Sequence, residues 1–311
     1  MGTDKQVSPQ TTIRVRDLQM RYGEKDVLKS VNFEAKRGEV VVLLGPNGAG
    51  KSTTIEILEG FRMRSAGEVE ILGQDPAHGN EQWRARIGVV LQSWRDHSRW
   101  RVRELLDHLG KYYEPYSTAE RKRPLDTDTL IGLVGLQEQS NQMLASLSGG
   151  QRRRMDVAIG LIGNPELLFL DEPTVGFDPK ARRDFHDVIH GLSDLEDTTI
   201  LLTTHDLDEA EKLGDRIIIL AGGTIVADGS ADQLAREASS KAEVRWTQGR
   251  KRHVHPTSDA TAYVRKLLAD NPTGISELEV RHASLEDTYM TIVQQHELPQ
   301  PTPQQTKGGK S

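Results

Sequence analysis

The chain has 311 residues, a formal net charge of −6, no cysteine, and ordinary globular proportions of apolar (36%) and charged (28%) residues. It therefore holds no disulfide or reactive thiolate, and it lacks the basic excess of nucleic-acid-binding proteins, so we expect no nucleic-acid partner. The polar start lacks the apolar core of a signal peptide, and no apolar run approaches the roughly twenty residues of a membrane-spanning helix. We expect a chain that does not cross a bilayer by itself.

Strand and helix patterns alternate along most of the chain. Strands are predicted at residues 13–18, 31–35, 39–44, 68–72, 87–91, 167–170, 200–203 and 216–220. Helices are predicted at residues 51–59, 102–112, 152–162 and 179–192, and a hairpin at 221–228. This alternation predicts an α/β core with a mainly parallel sheet.

The remaining segments differ in pattern from this core. Residues 1–11 are predicted to be a flexible terminus, and residues 93–164 to be a mostly helical subdomain. Residues 235–293 have their own strand and helix rhythm, which indicates a small accessory domain. The Gln- and Pro-rich residues 294–311 are predicted to be a disordered tail. Basic clusters at 121–123, 152–154 and 250–252 are typical of solvated surface or helix ends.

A glycine-rich loop follows the predicted strand at 39–44 and precedes the helix at 51–59. It consists of Gly45, Pro46, Asn47, Gly48, Ala49, Gly50, Lys51 and Ser52. Glycines let successive N–H groups point at phosphate oxygens, and the helix adds its positive N-terminal end. Lys51 is expected to reach the β- and γ-phosphates and Ser52 to bind Mg²⁺. This loop alone does not separate a transporter from a kinase or a GTPase.

Two acidic residues, Asp171 and Glu172, end the apolar strand predicted at 167–170. Strand ends in α/β sheets face the ligand crevice, where a buried acid needs a cation partner. Asp171 is therefore predicted to bind Mg²⁺, directly or through water, and Glu172 to activate a water for attack on the γ-phosphate. The alternative is a pair of solvated acids that cap a strand.

A second anion-receptive helix start precedes the predicted helix at 152–162. Its sequence is Leu147, Ser148, Gly149, Gly150 and Gln151. A plain helix cap would have the same composition, but a second phosphate site is useful if it serves a nucleotide held by another copy. With the loop and the acids at this spacing, residues 12–234 resemble the ATP-binding cassette (ABC) family.

The resemblance implies a P-loop NTPase core with an N-terminal antiparallel β subdomain, an inserted α-helical subdomain and a small C-terminal α+β extension. It also implies roles for further residues. Tyr22 matches an aromatic that stacks on adenine, and Gln92 a glutamine that senses Mg²⁺ and the attacking water. Asp178 matches a residue that communicates across the dimer, and His205 a histidine that contacts the γ-phosphate. Thr53 completes the expected ATP-binding set, and Phe177 stands where the family usually has leucine.

Residues 203–229 look like those of the drug-exporter branch, and the daunorubicin-resistance type is the nearest resemblance. It implies a peripheral ATPase at the cytoplasmic face of the membrane. Its partners would be a membrane permease and a second cassette, either another copy of this chain or a related one, paired head to tail. Trp94 and Trp100 lie in an Arg-rich stretch after Gln92, which is either an anchor for the permease or local packing.

Other functions remain open from the sequence. Export of a lipid or polysaccharide, or import, would use the same cassette. A non-transport ABC ATPase usually has two cassettes or a long coiled-coil insertion, whereas this chain has one cassette and an ordinary gap at residues 53–146. Intact Lys51, Asp171, Glu172 and His205 argue against an inactive scaffold.

Overall fold

The computed structural model describes residues 11–90, 97–193, 198–238, 242–249 and 251–281, together with residues 286, 289, 290 and 293. The chain divides into two compact units, residues 1–237 and 238–311. Gln92, Trp94, the predicted terminus apart from Thr11, and the predicted tail at 294–311 lie outside the described residues. Among the described helices, none combines the length and the apolar composition that a bilayer span requires.

The first unit contains most of the strands and helices. Its strands are β1 (Thr11–Tyr22), β2 (Lys25–Lys36), β3 (Val40–Leu44), β4 (Ala66–Ile71), β5 (Ile87–Val90), β6 (Leu167–Asp171), β7 (Thr199–Thr204), β8 (Arg216–Ala221) and β9 (Thr224–Gly229). Its helices are α1 (Lys51–Leu58), α2 (Glu81–Arg84), α3 (Val102–Gly110), α4 (Thr127–Leu133), α5 (Gly149–Leu161), α6 (Pro179–Ser193), α7 (Leu207–Leu213) and α8 (Ala231–Ala238).

Six strands form the central sheet, in the order β5, β6, β7, β3, β8, β9. All neighbours are parallel except β8 and β9, which form an antiparallel hairpin. Strands β3 and β7 are buried along their whole length, as expected for parallel strands covered on both faces. Because β3, β7 and β6 are neighbours, their carboxyl ends meet at one edge, where α/β sheets bind ligands.

A second, antiparallel sheet in this unit has the order β2, β1, β4. Alternate residues of these strands are buried, including Ile13, Leu18 and Val31, and they share one apolar cluster with β3, β6, β7 and β8. This packing fixes the end of β1, where Tyr22 lies, to the central core. Helices α3, α4 and α5 occupy the stretch between β5 and β6.

The second unit is a small sheet with one helix. Its elements are β10 (Ala242–Gln248), β11 (Lys251–Thr257), α9 (Ala260–Asp270) and β12 (Ile275–Arg281), with the antiparallel order β11, β10, β12. Val244, Trp246 and Leu267 form its core. The predicted fold class, an α/β protein with a mainly parallel sheet and an antiparallel β subdomain, is confirmed.

Candidate functional site

The loop between β3 and α1 has a shape that its glycines make possible. A Cβ on Gly45 would lie 2.3 Å from the Leu220 carbonyl oxygen, so a larger residue does not fit there. Gly50 has a φ of 108° and caps α1 in the left-handed conformation that favours glycine. The loop therefore turns tightly from a buried strand into a helix start that carries no side-chain cap. Such a helix start is a favourable place for a phosphate.

Lys51 points back across this loop. Its Nζ donates to the carbonyl oxygens of Gly45, at 2.8 Å, and Pro46, at 3.2 Å, and lies 3.4 Å from Oε1 of Glu172. The Lys51 side chain is only 5% exposed. A buried ammonium held beside a glycine-rich loop is suited to bind phosphate oxygens.

The first acid, Asp171, lies beside the hydroxyl of Ser52 and is joined to β7. Its Oδ1 accepts from Ser52 Oγ at 3.4 Å and from Thr203 Oγ1 at 2.5 Å. Carboxylate and hydroxyl oxygens are the protein ligands that Mg²⁺ prefers, and Mg²⁺ in nucleotide sites usually has few of them because phosphates and waters supply the rest. Among the described residues, no cluster of three or more His, Cys, Asp or Glu side chains could hold a metal ion.

The second acid, Glu172, has an unusual backbone φ angle, and its side chain lies near Lys51 and His205. Its φ is 43°, in the left-handed region that non-glycine residues rarely adopt, and strain of this kind is common at functional sites. Its Oε1 lies 3.4 Å from Lys51 Nζ and 3.5 Å from His205 Nδ1. Lys51, Glu172 and His205 come from three separate elements and meet at one carboxylate oxygen. His205 is half exposed, so it faces the entrance of the site.

Two side chains that the sequence did not single out hold Glu172 in place. Thr203 Oγ1 accepts from the Glu172 backbone N–H at 3.0 Å while it donates to Asp171. Arg153 Nε donates to the Pro173 carbonyl at 2.8 Å, and its Nη2 to the Asp171 carbonyl at 3.4 Å. The carbonyls on either side of Glu172 are therefore both bound by one guanidinium from α5.

The basic cluster at 152–154 lies near the start of α5, as its helix-end interpretation expects, but the burial of Arg153 corrects the solvated-surface interpretation for that residue. Arg153 is 6% exposed, and burial lowers its pKa, against the opposing effects of the nearby carboxylates, Asp156 first among them. Burial also raises the pKa of Asp156 to about 6. The sequence signal that could have found Thr203 is its position between the apolar run at 200–202 and the Thr204–His205 pair.

Glu59, just after α1, is a buried carboxyl near these acids. Burial, then the charges of Asp171 and Glu56, raise its pKa to about 8. Glu59 is therefore protonated at neutral pH and adds no negative charge beside Asp171.

This shift predicts how stability depends on pH. The unfolded chain loses the Glu59 proton near its ordinary pKa of 4.5, whereas the folded chain keeps it until about 8. The contribution of Glu59 to the free energy of unfolding is therefore fully present below pH 4.5. It decreases as the pH rises above that value and is lost once the pH has passed the folded-state pKa of about 8. We expect Glu59→Gln, which stays neutral, to gain stability relative to the wild type between these two pH values and then level off.

Urea unfolding at a series of pH values, without nucleotide, measures this difference. Glu211→Gln, at an exposed position on α7, is the control and should track the wild type. Parallel stability curves for Glu59→Gln and the wild type would show that Glu59 titrates normally.

The other predicted nucleotide contacts lie around the same loop. Pro46 and Thr53 are half-buried, Asn47 and Gly48 are exposed, and Ala49 is buried. Tyr22 lies at the end of β1 and is 40% exposed. Gln92 lies outside the described residues, so its position in the site stays a prediction.

The start of α5 is built by a reciprocal cap. Ser148 Oγ accepts from the Gln151 N–H at 3.3 Å, and Gln151 Oε1 accepts from the Ser148 N–H at 2.9 Å. Ser148 and Gly149 are exposed, and a Cβ on Gly149 would meet nothing within 4 Å. Among the described residues, the hydroxyl and the backbone N–H of Ser148 bond to Gln151, and the Ser148 carbonyl accepts from the Arg152 N–H at 2.8 Å. The helix start is therefore rigid and open toward solvent.

Asp178 lies next to this helix start. Its Oδ1 accepts from the backbone N–H groups of Lys180, at 2.9 Å, and Ala181, at 2.8 Å, and so caps α6. A Cβ on Gly150 would lie 3.0 Å from the Ala181 Cβ, which brings the starts of α5 and α6 together. Asp178, Ser148 and Gly149 are all exposed, and they belong to two helix starts that approach each other at Gly150 and Ala181.

Comparison with known proteins shows extensive similarity. The family model described as ABC transporter matches residues 28–175. Daunorubicin resistance ATP-binding protein DrrA3 of Streptomyces coeruleorubidus is 37% identical over 227 residues, which cover 73% of this chain and 71% of that protein. Nod factor export ATP-binding protein I of Ralstonia nicotianae is 38% identical over 224 residues, which cover 71% of this chain and 68% of that protein.

Solved structures share the fold. An ATP-binding subunit of an ABC transporter is 28% identical with a TM-score of 0.61, over 73% of this chain and 93% of that one. A bacterial ABC transporter cassette solved as a dimer is 25% identical with a TM-score of 0.59, over 70% of this chain and 98% of that one.

Proposed function

Because this chain belongs to the ABC transporter family of ATPases, we propose that it powers export of a drug-like or antibiotic-like molecule through a separate membrane permease. ATP hydrolysis coupled to transport is the family's activity, and both relatives named above are exporter ATPases or carry a drug-resistance name. The Streptomyces relative is named for daunorubicin, and residues 203–229 also favour the drug-exporter branch. Export of a Nod-factor-like, lipid or polysaccharide molecule is the alternative that a transport assay distinguishes.

The observation that carries the ATP-hydrolysing part of this proposal is the meeting of Lys51, Glu172 and His205 at one carboxylate oxygen beside the glycine-rich loop. Lys51 and the loop N–H groups would hold the β- and γ-phosphates. Glu172 would accept the proton of the attacking water, and the partly exposed His205 would contact the γ-phosphate. The hydrogen bonds from Thr203 and Arg153 keep the Glu172 backbone in the conformation that this role needs.

The metal proposed for this site is Mg²⁺, held by Ser52 and Asp171, with Gln92 as a predicted further ligand. When bound, Mg²⁺ neutralises charge on the phosphates and orients them. The 3.4 Å separation of the Ser52 hydroxyl from the Asp171 carboxylate supports this ligand pair.

The proposed working form is a head-to-tail pair of cassettes. Ser148, Gly149 and Gly150 of one copy would close on the ATP held by Lys51 of the other, and Asp178 would contact the partner. The exposed, pre-capped start of α5 supports this arrangement because Ser148 and Gly149 are open to solvent and so accessible to a partner. The pair, a homodimer or a heterodimer with a related cassette, would bind the permease at the cytoplasmic face of the membrane.

The test of this function is the Lys51→Ala variant. We expect ATP binding and ATP hydrolysis to fall together, because the cation that faces the phosphates is removed. Cells that depend on the transporter for drug efflux should become sensitive to the drug. Binding is measured by titration with a fluorescent ATP analogue, hydrolysis by phosphate release, and efflux with the permease co-expressed.

The matched control is Lys111→Ala, which removes an exposed lysine after α3. It should bind and hydrolyse ATP like the wild type. Unchanged ATP affinity in Lys51→Ala would contradict the proposed site, and drug efflux that continues without hydrolysis would contradict the proposed coupling.

A further inference from the structure

Tyr22, the proposed adenine platform, is in contact with an arginine that the proposed function does not use. The Arg62 guanidinium carbon lies 5.2 Å from the centroid of the Tyr22 ring, within the range of a cation–π interaction. Tyr22 is nevertheless 40% exposed, so the arginine covers part of the ring and leaves the rest open to solvent.

Arg62 is itself fixed to the helix that follows the phosphate loop. Its Nε lies 2.5 Å from Oε2 of Glu56 in α1, and its backbone N–H donates to the Glu56 carbonyl at 3.0 Å. The neighbouring Phe61 N–H donates to the same carbonyl at 2.9 Å. Backbone and side chain of Arg62 are therefore both held by one residue of α1.

A second contact joins the same segment to β1. The hydroxyl oxygen of Ser65 accepts from the Arg21 backbone N–H at 3.0 Å. Arg21 also pairs with Asp26 across the hairpin, at 2.6 Å. The end of β1 is thus attached to the segment after α1 next to Tyr22, and Arg62 adds the contact that acts on the ring.

We propose that Arg62 is a positioning residue for the purine base: held by Glu56, it backs the Tyr22 ring so that the open part of the ring can stack on adenine. The inference rests on the proposed function, because it takes the ligand to be ATP. A ring already held in one rotamer loses less freedom when a base stacks on it, so binding is stronger. Since Glu56 lies on the helix that begins at Lys51, one short element sets both the phosphate end and the base end of the site.

The proposal assigns Arg62 to binding of the base and not to binding of the phosphates. It can therefore be tested by comparing ligands with and without a base. ATP and inorganic tripolyphosphate share the phosphate chain, but tripolyphosphate has no base. We expect Arg62→Ala to weaken ATP binding by a factor of about 3 to 10, the range of a partly exposed cation–π contact. Tripolyphosphate binding should stay unchanged. Both affinities are measured on the full chain by competition with a fluorescent ATP analogue.

Three further single variants and one double-variant comparison make the result specific. Arg62→Lys keeps the cation and should recover part of the ATP affinity, whereas Glu56→Gln should lose part of it because Arg62 is less firmly held. Arg84→Ala, which removes an exposed arginine on α2, is the control and should bind both ligands normally. In a Tyr22→Ala background, Arg62→Ala should cause no additional loss, since the ring through which it acts is gone.

Several outcomes would overturn the proposal. They are equal losses for ATP and tripolyphosphate, unchanged ATP affinity in Arg62→Ala, or a full additional loss in the Tyr22→Ala background. If Lys51→Ala abolishes binding of both ligands while Tyr22→Ala and Arg62→Ala change neither, the proposed function stands and this inference fails. If Lys51→Ala also changes neither, the proposed function fails.

Discussion

Replacing Glu172 with glutamine is expected to slow ATP hydrolysis by about 10²- to 10⁴-fold, the usual contribution of a general base. Glutamine has the same shape as glutamate, so the conformation of the surrounding loop should be preserved. It cannot accept a proton at neutral pH, and it has no charge to pair with Lys51 or His205. We therefore expect ATP to bind and to remain bound, and a stable ATP-loaded dimer to accumulate.

The Glu172→Gln substitution should leave the backbone around residue 172 unchanged. The bonds from Thr203 and Arg153 reach main-chain atoms of residues 171–173, which the substitution leaves in place. Phosphate release measures turnover, and size-exclusion chromatography with and without ATP measures the dimer. Glu211→Gln on α7 serves as the control and should hydrolyse ATP at the wild-type rate. Wild-type turnover in Glu172→Gln would exclude Glu172 as the base.

The strand, loop and helix of the proposed phosphate site could be predicted from the sequence because their signals are local. A buried apolar strand, a glycine-rich loop and a helix start occupy consecutive residues, and β3, the loop and α1 lie where the pattern predicts them. The same holds for Asp171 at the end of β6. In these cases the chemistry of the residue and its place at a strand end belong to one short segment.

The supporting residues could not be found in this way because their contacts are distant in sequence. Arg153 is one of three consecutive arginines, and nothing local separates it from the others; its burial follows from the packing of α5 beside the end of β6. Arg62 looks like an ordinary loop residue until the antiparallel sheet brings Tyr22 against it. Glu59 carries no sequence mark of burial. Such roles depend on tertiary packing rather than on pattern.

The second large effect concerns the proposed composite site, which two chains would form together. The exposed start of α5 is a rigid group of N–H donors with no described contact to the loop around Lys51. Groups supplied by a partner to a γ-phosphate contribute about 10³- to 10⁵-fold to the rate in other phosphate-loop enzymes. We expect Ser148→Arg to reduce hydrolysis on that scale, since a bulky cation would block closure on the partner's ATP. Each chain should still bind ATP through its own loop.

The variant also removes a helix cap, which costs about 1 kcal/mol of stability. Thermal unfolding followed by circular dichroism should show a fold that is retained at assay temperature. ATP titration should show binding close to that of the wild type. Loss of ATP binding by folded Ser148→Arg would mean that Ser148 serves the nucleotide of its own chain.

The most direct test of a composite site is to mix Lys51→Ala chains, which cannot hold ATP, with Ser148→Arg chains, which cannot close on it. A mixed dimer contains one intact site, formed by Lys51 of the second chain and Ser148 of the first. Random pairing of equal amounts makes half of the dimers mixed, so about a quarter of the wild-type rate should return if the sites act independently. If verified mixed dimers show no activity above either variant alone, or if dilute wild-type monomer hydrolyses ATP at the full rate, the head-to-tail account is contradicted.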